Sequence, residues 1–110
     1  MSRLHGTFNS SGTVTMSVAS GAGSAKVSLT SPSGATVQLV VLDEAGGVLF
    51  TKAGMAFLAA TVPVPSGTHR VVASGPAGAS LLLIDEHPAV PGTSGSVVWK
   101  ADTSSALENE

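Results

Sequence analysis

The 110-residue chain has no cysteine and no tyrosine. Without thiols there are neither disulfide staples nor thiolate metal sites, so packing alone must hold the fold. Charge is the next scarcity: 11 % of residues are charged, against roughly 25 % in an ordinary soluble domain. The five basic residues, Arg3, Lys26, Lys52, Arg70 and Lys100, are scattered, and the formal charge is −2 with a pI near 5.8. That distribution carries no footprint for nucleic acid or an anionic membrane surface. No apolar run approaches the ~20 residues of a membrane-spanning helix. The opening Met1–Gly6 lacks the long apolar stretch of a secretory signal. Read as a natural start, Met1 implies synthesis in the cytoplasm without a cleavable export signal; read as the start of a fragment, it leaves an extracellular location open.

What is present is 43 % hydrophobic residues, a mean hydropathy of +0.38, and 13 glycines and six prolines that punctuate the chain. Between the punctuation marks the periodicity is that of strands. Thr13 to Ser20 alternates Val14, Met16 and Val18 against Thr13, Thr15 and Ser17. Ala25, Val27 and Leu29 line one side of the next strand. Ser31-Pro32-Ser33-Gly34 is a β-turn sequence, after which Thr36 to Asp43 is apolar on both faces in its second half, which predicts a central, doubly covered strand. Glu44-Ala45-Gly46-Gly47 turns the chain into Val48 to Lys52 as a hairpin.

Met55 to Val64 offers Phe57, Leu58, Val62 and Val64 to the core, with Pro63 and Pro65 marking an edge or strand end. Thr68 to Ser74, Ala79 to Asp85 and Ser96 to Lys100 complete about eight strands. No helical stripe of ten or more residues closes with caps. The expected fold is an all-β antiparallel β-sandwich, jelly-roll or Ig-like, as one domain over residues 1–101, followed by a polar, acidic tail over 102–110.

Four of the acids fall in two pairs, Asp43-Glu44 and Asp85-Glu86, each at the end of an apolar strand. Paired carboxylates suit acid/base work or Ca²⁺, but no Asp-rich loop accompanies them, and a structural turn is the expected role. The histidines His5, His69 and His87 have no partner at ligand spacing, and exposed or partly buried side chains are expected of them. No Gly-x-Ser-x-Gly elbow or phosphate loop is present. An enzyme would require a pocket that joins His69 or His87 to Asp43, Glu44, Asp85 or Glu86. No catalytic, cofactor-binding or metal-ligating residues are therefore expected. Of the four aromatics, Phe50 and Phe57 read as core, and Trp99 as the anchor of the last strand, an interface residue or a carbohydrate platform.

Two resemblances follow. The stretch Thr36-Val-Gln-Leu-Val-Val-Leu-Asp-Glu-Ala-Gly-Gly-Val-Leu-Phe, followed by Val64-Pro-Ser-Gly-Thr-His-Arg-Val-Val-Ala-Ser-Gly, resembles the pre-peptidase C-terminal type of bacterial jelly roll. The likeness spans about residues 13 to 85, and here no tyrosine follows the Gly-Thr. It implies a jelly-roll fold and a ligand- or carbohydrate-binding appendage of a secreted enzyme. In style, a small, cysteine-free, charge-poor sandwich also resembles bacteriophage capsid decoration and tail accessory proteins.

The leading expectation is a non-catalytic structural protein of a virion. It would dock on copies of itself or on a larger protein shell through its sandwich surface and terminal arms, Met1–Phe8 or Asp102–Glu110. Arg3, Leu4, Phe8, Trp99 and Leu107 are its candidate interaction residues.

Overall fold

The computed structural model describes residues 2–90, 99–101 and 106–109, the last two stretches by backbone only. Among these residues there are ten strands and no helix: β1 (Ser2–Thr7), β2 (Thr13–Ser20), β3 (Gly23–Thr30), β4 (Thr36–Leu42), β5 (Val48–Met55), β6 (Phe57–Val64), β7 (Gly67–Ser74), β8 (Ser80–Glu86), β9 (Trp99–Ala101) and β10 (Ala106–Asn109). They form two sheets in the orders β10-β1-β8-β3-β6 and β5-β4-β7-β2-β9, with every pairing antiparallel. Strands β1–β8 pair as β4 with β5, β3 with β6, β2 with β7 and β1 with β8, a nested ribbon rolled into two layers. This is the jelly-roll order.

The core lies between the layers and is built by alternation. In β2 the even residues Val14, Met16 and Val18 are fully buried, and in β3 Ala25, Val27 and Leu29 face them from the other sheet. Val37, Leu39, Val41, Leu58, Val62, Val71, Leu81 and Leu83 fill the remainder. At ~25 cal/mol per Å² of buried apolar surface, rows of this kind dominate the favourable side of folding.

Several expectations need correction. Strand β4 is central in its sheet but is covered on one face only: Gln38 is exposed and Val40 and Leu42 are half-buried, because no further layer lies outside the sandwich. Phe57 is not core. It is 58 % exposed, since its neighbours in alternation, Leu58, Ala60, Val62 and Val64, take the inward positions. The N-terminal segment is not a free arm: β1 runs between β8 and β10 with Leu4 opposite Leu83. Part of the expected tail, Ala106–Asn109, pairs with β1 as β10. Residues 96–98 of the predicted last strand, 91–95 of the connection before it, and 102–105 lie outside the described residues.

The prolines fall as expected. Pro63 is in β6, the outermost strand of its sheet, where a missing N–H costs no ladder bond on the open side. The β4–β5 hairpin is closed by Asp43, whose N–H donates to the Gly47 carbonyl at 2.8 Å while its Oδ1 accepts from the Gly47 N–H at 2.7 Å. The Asp43-Glu44 pair therefore serves a turn, whereas the turn expected for Asp85-Glu86 is corrected: both residues lie within β8, and the inward parity of Asp85 buries it completely.

Candidate functional site

Two features stand out from an otherwise ordinary sandwich: a group of polar side chains inside it, and a line of apolar ones outside it.

The interior group begins with His69. Strand β7 sends His69, Val71 and Ala73 inward, and β8 sends Leu81, Leu83 and Asp85 inward from the facing sheet, so the alternation that builds the core also delivers a histidine and an aspartate to it. His69 Nε2 lies 2.6 Å from Asp85 Oδ2, and both side chains are fully buried. With Asp85 ionised, the ring N–H donates to the carboxylate, a short charge-assisted bond that ties one sheet to the other. His87, just beyond β8, sets its ring edge-on to His69 at 6.4 Å between centroids, and its Nε2 is 3.4 Å from Ser2 Oγ. Ser2, itself fully buried, pairs with Asp85 in the β1–β8 ladder.

The residues named as a possible catalytic set are thus partly brought together. Asp85 joins His69 and His87 in one cluster, whereas Asp43 sits in the β4–β5 turn, and Glu44 and Glu86 are exposed. The arrangement is not a nucleophile–base–acid relay, because the hydroxyl of Ser2 meets His87 while the carboxylate meets His69. His5 is exposed and His87 half-buried, as expected, but His69 is corrected to fully buried, like Ser2 and Asp85, because it stands on the inward row of β7. Among the described residues, no three His, Asp or Glu side chains converge as a metal site, and none reaches His69 Nδ1 or Asp85 Oδ1 with a hydrogen bond. The pair acts as a structural tie between the sheets. Parity gives the sequence signal for it: His69 and Asp85 end the inward rows of their strands.

The exterior feature lies on β5 and β6, which end the two sheets on the same side of the sandwich. Among the described residues the exposed large hydrophobic side chains are Val48 (63 %), Met55 (71 %) and Phe57 (58 %), and all three belong to these two strands. Between Met55 and Phe57 the chain crosses from one sheet to the other through Ala56, at φ +65°. This left-handed conformation costs an L-residue roughly 1–2 kcal/mol. The corner is held from both sides: Ser31 N–H donates to the Ala56 carbonyl at 2.7 Å, and Ala56 N–H donates to the Ala35 carbonyl at 3.1 Å. A rigid, strained corner that presents two large apolar side chains to water is a feature of functional surfaces more than of inert ones.

The outer face of the β3-containing sheet adds a shallow depression of about 560 Å³ over Ser28, Ala59 and Ile84, bordered by Lys26, Thr61 and Glu86. Ser28 and Ala59, paired in the middle of β3 and β6, are small, and they leave this space beside the larger Ile84 of β8.

The five interaction residues expected from sequence divide. Leu4 and Phe8 are corrected to core, at 0 % and 2 % exposure; Phe8 packs so closely on Gly75 that a Cβ there would meet its ring at 2.6 Å. Their inward rows bury them, so their side chains are not available to a partner in the folded chain. Arg3 is half-buried on β1, opposite Ile84 and Glu108. Trp99 pairs with Val18 and Leu107 with Leu4, both at sheet ends; their side chains lie outside the described residues. None of the five belongs to the β5–β6 surface. Comparison with protein families, with curated proteins and with solved structures finds no match.

Proposed function

We propose that the chain is a non-catalytic interaction module, a virion decoration or accessory protein that docks on a larger protein assembly. The observation that carries this reading is that, among the described residues, the exposed large apolar side chains, Val48, Met55 and Phe57, gather on one side of the sandwich, while its histidine–aspartate pair is sealed in the core. Exposed apolar side chains gathered in one place mark contact surfaces, and a surface poor in charge gives up little hydration when covered. Jelly rolls occur in capsid and lectin domains alike, so the fold by itself does not choose between them. The bacteriophage resemblance of the sequence favours the first.

The test is co-sedimentation of the chain with purified virus particles in a density gradient, followed by the same experiment with Met55→Lys/Phe57→Lys. The chain should ride with the particles and the variant should be released. A chain found only at the top of the gradient overturns the reading.

A second reading, an appendage that binds carbohydrate, is favoured by the depression over Ser28 and Ile84, whose hydroxyl and charged border of Thr61, Lys26 and Glu86 offers donors and acceptors to a sugar. Binding on a glycan array that vanishes with Lys26→Ala supports it, and a flat array removes it.

A further inference from the structure

The four outermost strands of the two sheets are not equally protected against pairing with another chain. Strand β9 has three residues and β10 four, and short edges template little. Strand β6 is eight residues long but carries Pro63. Among the described residues only β5 is an outermost strand both eight residues long and free of proline, and Lys52 is its one charge.

We infer that β5 is a self-association edge, on which a second copy of this chain adds its own β5 antiparallel across a twofold axis at Thr51. The inference rests on the interaction-module reading above and names the first partner of that surface. Lys52 singles out the register. A twofold centred on Lys52 would set two ammonium groups directly opposite each other, which is destabilising.

Centring on Thr51 instead places threonine opposite threonine and Lys52 opposite Phe50. These matches respect the faces of the strand: Phe50 and Lys52 both lie on the row that faces Val41 and Leu39, while Thr51 and Ala53 lie on the other row, with Val40 and Gln38. The bulge between Val41 and Leu42 turns Val48 onto the same outer row as Met55, the first opposite Leu42 and the second opposite Thr36. Pairing then brings the Met55 end of each strand against the Val48 end of the other, so that two of the three large apolar side chains exposed among the described residues meet their counterparts across the new ladder. The closed contact is isologous and consumes the open edge in both subunits.

The lack of native cysteine makes the test direct. Paired Cα atoms in an antiparallel ladder lie about 4.5–5.5 Å apart, within disulfide reach, so Thr51→Cys should cross-link to itself at the axis under mild oxidation. Thr61→Cys, on the exposed row of β6, should not. Sedimentation of the unaltered chain should show its mass doubling as concentration rises, and Val48→Lys/Met55→Lys should remove the dimer with the circular dichroism unchanged. A monomer at every concentration, equal cross-linking of the two cysteine variants, or a dimer indifferent to the lysines overturns the inference. A monomer that still rides on virus particles overturns it while leaving the docking function standing; a dimer never found on particles does the reverse.

Discussion

Inside the sandwich, where β7 and β8 face each other, polar side chains are buried; along its β5–β6 side, apolar side chains are exposed. Both places depart from the ordinary sorting of residues, but for different physical reasons. The interior cluster is tolerated because its strongest polar contact is satisfied across the layers, His69 to Asp85 at 2.6 Å, and the loss of either partner would strand the other in an apolar interior. The exterior line needs no such compensation, since exposed Val, Met or Phe costs the folded state little when the unfolded chain exposes them as well. The interior departure therefore bears on stability, and the exterior one bears on association.

The largest expected effect breaks the interior side of this contrast. Asp85→Ala should lower folding stability by about 3 kcal/mol, as removal of one partner from a buried pair does, with His69→Ala of similar size. The combined replacement His69→Leu/Asp85→Val should recover most of the loss, because an apolar pair of similar volume leaves nothing unsatisfied. Urea unfolding of the four proteins measures this, and single variants as stable as the parent would show that the tie contributes nothing.

Ala56→Gly tests the corner within the exterior line, where β5 passes into β6. Relief of the left-handed strain exceeds the extra entropy of glycine in the unfolded chain, for a net gain of roughly 0.5 kcal/mol. A loss in thermal unfolding would mean that the alanine methyl packs usefully enough to offset the strain. The smallest effect on folding belongs to Phe57→Ser, expected to change stability by less than ~0.5 kcal/mol as surface substitutions do, while weakening retention on a hydrophobic column. A Phe57 variant that unfolds easily would place that ring in the core after all and erase the contrast.

Much of the layering could be read from alternation. Strand β2 falls at Thr13–Ser20 as its pattern implies, because one face is buried between flanking strands and nothing competes with the period of two. Strand β1 is invisible to the same reasoning, since its inward row is Ser2, Leu4 and Gly6, with a single large apolar residue. Only the facing strands, supplied by distant sequence, make that row a core row. Phe57 could have been placed correctly, because it has the opposite parity to Leu58, Val62 and Val64 and cannot share their face. The corner at Ala56 could not, as a left-handed turn is ordinarily signalled by glycine or asparagine. Parity places His69 and Asp85 on inward rows, against the turn expected for Asp85, but that the two meet depends on how β7 and β8 face each other across the layers.

The nesting of the strand pairs also sets an order in time. As the chain leaves the ribosome, β5 can close on β4 at once, since the partners Val40 and Thr51 emerge close together, and β6 and β7 then find β3 and β2 in turn. Strand β1 must wait for β8, when Leu83 reaches Leu4. Until then β1 lacks that partner, and closing a pair so distant in sequence makes this step slower than the β4–β5 hairpin.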